Sequence, residues 1–173
     1  GDLWKAGGER GIYKTTDGGI TWSRVLDAGA DAGGTELVMD PTNNKVLYAA
    51  SYQRRRSSWG MNGGGPNSGL WKSADAGRTW KPIFDDQPTG SIGDIAIAPS
   101  NPNVIYVGSG EGLQRPDLST GDGMYKSTDG GATWTHLALR EGQQIALIAV
   151  DPEDENRLYV AVLGHPYGPN EER

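Results

Sequence analysis

One twelve-residue pattern occurs three times in this chain. GIYKTTDGGITW covers Gly11–Trp22, GLWKSADAGRTW covers Gly69–Trp80 and GMYKSTDGGATW covers Gly123–Trp134. The central acid falls at Asp17, Asp75 and Asp129, 58 and 54 residues apart. Self-similarity at such a period means stacked copies of one supersecondary unit, because no copy buries its apolar face alone.

A second segment repeats in register with the first. ELVMDPTNNKVLYAA (Glu36–Ala50), DIAIAPSNPNVIYVG (Asp94–Gly108) and LIAVDPEDENRLYVA (Leu147–Ala161) align without gaps. Each unit reads as four short strands. Strand one is a small apolar run such as Ile95–Ala98, stopped by a Pro/Asn turn. Strand two is Val46–Ala50, Val104–Gly108 or Leu158–Val162, and a long polar loop follows. Strand three ends in Tyr/Trp-Lys, the acidic turn reverses the chain, and strand four leaves through Thr-Trp. Helical apolar spacing is absent over any three-turn window. The expected fold is all-β: a β-propeller of four-stranded antiparallel blades, with about three blades' worth in this chain. The units are residues 1–27 (a half-blade, strands three and four), 35–85 and 92–139 (blades), 144–163 (a half-blade, strands one and two) and 164–173 (a terminal loop).

Composition agrees with a turn-rich β protein. The chain has 27 Gly and 10 Pro in 173 residues, which marks frequent turns, and six Trp with seven Tyr supply apolar bulk. A net charge of −6 argues against a nucleic-acid or anionic-membrane partner. With no Cys, disulfides, thiolate metal sites and cysteine nucleophiles are excluded. No apolar stretch reaches the roughly 20 residues of a membrane helix.

Thr15-x-Asp17-x-Gly19-x-x-Trp22, Ser73-x-Asp75-x-Gly77-x-x-Trp80 and Ser127-x-Asp129-x-Gly131-x-x-Trp134 all fit S/T-x-D-x-G-x-x-W. The chain thereby resembles the BNR or Asp-box repeat propellers, the sialidase-like and sortilin-like folds that include many bacterial glycosyl hydrolase-like proteins. Locally, Asp accepts backbone N–H groups within the turn, Ser/Thr locks it, Gly supplies positive φ and Trp packs between blades. The box therefore reads as a structural staple. No cofactor is expected. Ca²⁺ is the one metal considered, and one carboxylate per turn is poor coordination for an ion that takes six to eight oxygens.

The resemblance places the box opposite the usual ligand face and so directs attention to the other loops. These are Ser51–Gly69, Ser109–Gly123 and Leu163–Arg173, with Leu26–Gly34, Phe84–Ser91 and the region around Arg140. The candidate ligand residues there are Arg54, Arg55, Arg56 and Trp59, then Glu111, Arg115 and Asp117, then His165 and Tyr167. An Arg fork holds a carboxylate, an exposed Trp stacks on a sugar, and paired acids separated by about 5–9.5 Å cut glycosidic bonds. The Arg-Ile-Pro segment and three-blade arginine triad of sialidases are missing. The xyloglucan-hydrolase branch uses two Asp that no local motif identifies here. No catalytic residue is therefore transferred.

The leading expectation is a non-catalytic module that binds carbohydrate or a peptide segment on its long-loop face. The alternatives are a glycoside hydrolase of this propeller type and a scaffold segment of a larger secreted protein. The resemblance implies a secreted or periplasmic location. GDLWKAGGER (Gly1–Arg10) aligns with GHPYGPNEER (Gly164–Arg173). The further blades expected as partners come from a second copy of the chain or from a longer parent chain.

Overall fold

The computed structural model describes residues 2–112 and 119–165. The strands run in chain order as β1 (Ile12–Lys14), β2 (Ser23–Leu26), β3 (Ala32–Met39), β4 (Leu47–Ser57), β5 (Gly60–Gly63), β6 (Gly69–Ser73) and β7 (Lys81–Pro82). They continue as β8 (Ile92–Ile97), β9 (Ile105–Ser109), β10 (Met124–Ser127), β11 (Thr135–His136), β12 (Ile145–Val150) and β13 (Leu158–Val162). A single 3-10 turn, Arg140–Gly142, is the one helical element among the described residues.

Four antiparallel sheets follow one another. The orders are β1-β2, β3-β4-β6-β7, β8-β9-β10-β11 and β12-β13. The two middle sheets have at least four strands each and the outer two are strand pairs. Pro41, Pro99 and Pro152 sit just beyond β3, β8 and β12, where the absent N–H ends each ladder.

The core lies between sheets. Tyr48, Ala50 and Leu70 of the second sheet and Phe84, just past its β7, pack against Ile92, Ile95, Ile105, Val107 and Tyr125 of the third. Phe84 meets the Tyr125 and Trp134 rings edge-on, with centroids 5.0 and 5.2 Å away. A second cluster joins Ala98, Val104, Tyr106 and Met124 to Ile145 and Ile148 of β12. A chain with only 35% hydrophobic residues thus concentrates its burial at the seams between repeats.

Polar staples cross the same seams. Lys14 Nζ donates to Ala76 O (2.9 Å), and Lys72 Nζ and the Tyr48 hydroxyl both donate to Gly130 O (2.7 and 3.1 Å). Tyr106 donates to Glu155 O at 2.8 Å, and Lys126 to Asn156 Oδ1 at 2.9 Å. The Lys that ends each repeated Tyr/Trp-Lys pair therefore reaches the next repeat. Burial and nearby Asp40 push the Tyr48 phenol up to about 12, so it remains a donor.

One sequence expectation is corrected. Strand two of the second sheet does not stop at Ala50 before a loop over Ser51–Gly69. β4 continues to Ser57, turns at Ser58–Trp59 and returns as β5, with Arg54 opposite Gly63, Arg55 opposite Asn62 and Arg56 opposite Met61. Three consecutive arginines hide a strand from a reading based on β-branched and aromatic residues. The ladder and the turn at Gly60 nevertheless satisfy their backbone.

Each innermost strand carries the same irregularity near its start. Register shifts fall between Gly34 and Glu36 in β3, between Ile92 and Asp94 in β8, and between Ile145 and Leu147 in β12. A β-bulge re-aims the side chains beside it, and these three lie at the end opposite the Asp boxes.

Candidate functional site

The three Asp boxes use their carboxylates locally. Asp129 accepts the Ser127 hydroxyl at 2.8 Å, the Ala132 and Thr133 N–H groups at 2.9 Å each and the Thr133 hydroxyl at 2.6 Å. Asp17 and Asp75 take the corresponding Thr15/Thr21 and Ser73/Thr79 groups. These bonds, led by the Thr hydroxyl, lower all three carboxyls to about 2. Such a carboxylate is a poor proton donor at neutral pH and has little capacity left for a ligand. The Thr four residues after each Asp is the partner that sequence reading passed over, although it is identical in all three copies.

The box Trp residues differ with their neighbours. Trp134 Nε1 donates to Ile83 O of the preceding blade at 2.7 Å. Trp22, in the first sheet, is 59% exposed.

A cleft of about 370 Å³ opens at the other end of the second and third sheets. Thr35 and Gly93, the bulge residues of β3 and β8, form part of its lining, with Ser91 and Ile92 beside them. Tyr52 and Arg54 of β4 and Glu111 and Gly112 after β9 complete it. Tyr52 donates its hydroxyl to Glu111 Oε1, which also accepts the Ser119 N–H at 2.9 Å. The Arg54 side chain has one hydrogen bond among the described residues, the weak one from Nε to Met61 Sδ at 3.2 Å. Ser91 Oγ is buried without a hydrogen-bond partner among the described residues.

Gly93 is required by a close approach. A Cβ there would stand 1.9 Å from Ile145 O of the next sheet. That contact lets the inner strands converge at the cleft floor.

Asp94 follows Gly93. Its carboxylate accepts the Ile148 N–H of β12. Burial raises its pKa, and the charge of Glu36, at the matching position of β3, adds to the rise. Burial thus outweighs the Ile148 and Ile95 N–H groups, which favour the ionised form. Sequence reading missed it because attention went to the loops, although Glu36 and Asp94 align in the repeat.

The sequence-predicted ligand residues do not form one cluster. Arg54 and Glu111 share the cleft. Arg55 points away, with Nε 2.9 Å from Asp31 Oδ1, and lines a shallow depression with Trp59 and Asn62. Arg56 lies over the Trp4 ring, its guanidinium carbon 5.5 Å from the centroid. Trp59 stands at the hairpin tip and is 96% exposed. His165 is half-buried just after β13. Arg115, Asp117 and Tyr167 lie outside the described residues. Asp122, the remaining acid of its loop, accepts the Tyr125 hydroxyl at 2.7 Å and faces Arg140 at 3.6 Å. Among the described residues no group of three or more His, Asp or Glu is placed to hold a metal ion.

Arg10 is another residue that sequence reading passed over. It is buried and donates to the carbonyls of Gly7 (3.1 Å), Asp31 (2.7 Å) and Arg54 (3.3 Å), and to Asp2 O. It holds the N-terminal segment to the strand that carries Arg54. The Glu-Arg pair shared by both chain ends was its signal.

Residues 13–24 and 125–136 match the profile of the BNR/Asp-box repeat. These are BNR/Asp-box repeats. A xyloglucanase of Paenibacillus sp. is 30% identical over 152 residues, which is 72% of this chain and 13% of that protein. Xyloglucanase Xgh74A of Acetivibrio thermocellus is 28% identical over 151 residues, 71% of this chain and 15% of its own length. The chain therefore spans about a seventh of the curated relatives it matches.

Solved structures carry the same fold. A GH74 xyloglucanase from Xanthomonas campestris superposes with a TM-score of 0.61 at 19% identity, over 87% of this chain and 22% of that one. An ancestral GH74 enzyme gives 0.60 at 17% identity, over 87% of this chain and 19% of its own. The BNR repeats thus build part of a β-propeller. The relatives favour the hydrolase alternative over the non-catalytic module.

Proposed function

We propose that these BNR blades belong to a glycoside hydrolase of the xyloglucanase kind and supply part of the surface that holds a β-glucan. The observation that supports this most is the similarity to xyloglucanases over about seven-tenths of the chain. The long-loop face suits the role. Its cleft combines an aromatic ring, a cation, a carboxylate and a buried hydroxyl, the mixture that binds polyhydroxylated ligands. A polysaccharide is too large to enter a cell, so the reading goes with action outside the cytoplasm.

Glycosidic hydrolysis needs a carboxyl that stays protonated near neutral pH and a second that stays ionised. Asp94, whose pKa burial raises above the ordinary Asp value, is the candidate acid, and Glu36 on the adjacent inner strand is its candidate partner. The box aspartates, held near 2, have no part in proton donation.

The test is affinity electrophoresis of the chain through gels with and without xyloglucan, followed by reducing-end release on any polymer that retards it. Slower migration in xyloglucan is expected. Equal migration in both gels, with no reducing ends released, overturns the proposal.

A further inference from the structure

The cleft between the second and third sheets offers more than a general glucan surface. We infer that it is a single-sugar subsite, in which one neutral pyranose ring sits between Arg54 and Glu111 with a hydroxyl on Ser91. The inference rests on the carbohydrate reading above and names the residues that read the sugar.

Three observations carry it. First, Ser91 is 2% exposed, lines the cleft, and leaves its hydroxyl without a partner among the described residues. A buried hydroxyl without a partner costs free energy, and a ligand hydroxyl in the cleft removes that cost. Second, donors and acceptors of both kinds converge there. Arg54 brings guanidinium donors that, among the described residues, make one hydrogen bond, to a thioether sulfur. Glu111, held by the Tyr52 hydroxyl and the Ser119 N–H, brings a carboxylate to the same cleft. Adjacent sugar hydroxyls both donate and accept, and so match this pairing. An acidic sugar would face Glu111 and a cationic one would face Arg54, so the site suits a neutral ring.

Third, the size is small. A volume of about 370 Å³ lies near the lower end of ligand pockets and cannot take a run of several rings. The floor is fixed by the bulges at Thr35 and Gly93, and a Cβ at Gly93 would strike the neighbouring strand. The occupant is either a pendant sugar or the end of a chain.

The test is calorimetric titration with a branched xyloglucan oligosaccharide, with cellotetraose and with an oligogalacturonate, on the wild type, Ser91→Ala and Arg54→Gln. Each variant is expected to weaken glucan binding about tenfold, the factor that one ordinary hydrogen bond supplies. A loss confined to the branched ligand places a pendant sugar in the cleft; an equal loss on cellotetraose places a chain end there. Wild-type affinity in both folded variants overturns the assignment while leaving the glucan reading in place. Tighter binding of the oligogalacturonate overturns the neutral ring. Absence of binding to all three removes the glucan reading and this subsite with it.

Discussion

Replacing Gly93 with Ala probes the joint that sets the cleft floor. The added Cβ would stand 1.9 Å from Ile145 O and 3.1 Å from Gly110 O. Both are backbone atoms, so no flexible side chain can swing away. Relief requires β12 to move by more than an ångström, and β12 is tied to β13 along its length. Overpacking of a closed core costs about 1–3 kcal/mol, and a rigid backbone neighbour puts this case near 3. For a chain of this size about 3 kcal/mol corresponds to a drop of roughly 6–12 °C in Tm. Gly33→Ala is the control, because nothing lies within 4 Å of a Cβ there. It is expected to be neutral or to stabilise by up to about 1 kcal/mol through the lower entropy of the unfolded chain. Thermal unfolding followed by tryptophan fluorescence and far-ultraviolet circular dichroism reads both. A Gly93→Ala protein that melts within about 2 °C of wild type would refute the reasoning, since the sheets would then lack the close approach that fixes the floor.

The remaining predictions concern the box, the seams and Asp94. The box carboxyls fall from 3.8 unfolded to about 2 folded, so their stabilisation is complete above 3.8 and is lost as pH falls toward 2. Thr79→Val should flatten that acid loss, which urea titrations at several pH values will show. Ala76 holds φ +61° where the other boxes have Gly18 and Gly130, so Ala76→Gly should stabilise by up to about 1 kcal/mol in the same titrations. Trp134→Phe removes the bond to Ile83 O and should cost about 1 kcal/mol or more in thermal unfolding. Asp94→Asn should abolish reducing-end release while the protein remains folded. It should also gain stability relative to wild type as pH rises above 3.8, because the folded state disfavours the ionised Asp94.

The parts of the fold that were legible in sequence are those that recur. Three boxes in register with three strand pairs fix the order of the sheets, because each copy must bury the same face against the next. The box itself was legible as a turn for the same reason. Its Asp, Gly and Trp are the residue types that local hydrogen bonding, positive φ and inter-repeat packing demand. The β4–β5 hairpin was hidden because it occurs once, in a stretch of arginines, and its pairing depends on backbone register alone. The candidate site was only half legible. Arg54 and Glu111 were visible as charged residues in long loops. Ser91, Tyr52 and Asp94 matter through burial and through which sheet stands opposite, neither of which a single repeat encodes.

That difference has a physical origin. The repeated positions specify contacts along the stack, and each contact is satisfied by the copy next door. The cleft lies where the repeat is broken. The bulge position holds Thr35 in β3 and Gly93 in β8, and the loop after strand two is a hairpin in one blade and the Glu111 turn in the next. Gly93 admits the Ile145 carbonyl, whereas Thr35 adds a hydroxyl to the cleft wall. Function in such an array is therefore sought at positions that align in the repeat but differ in residue, on the face away from the identical turns. By that criterion Arg55 and Arg56, which pair with Asp31 and stack on Trp4, hold the hairpin in place, and Arg54 alone of the three faces the cleft.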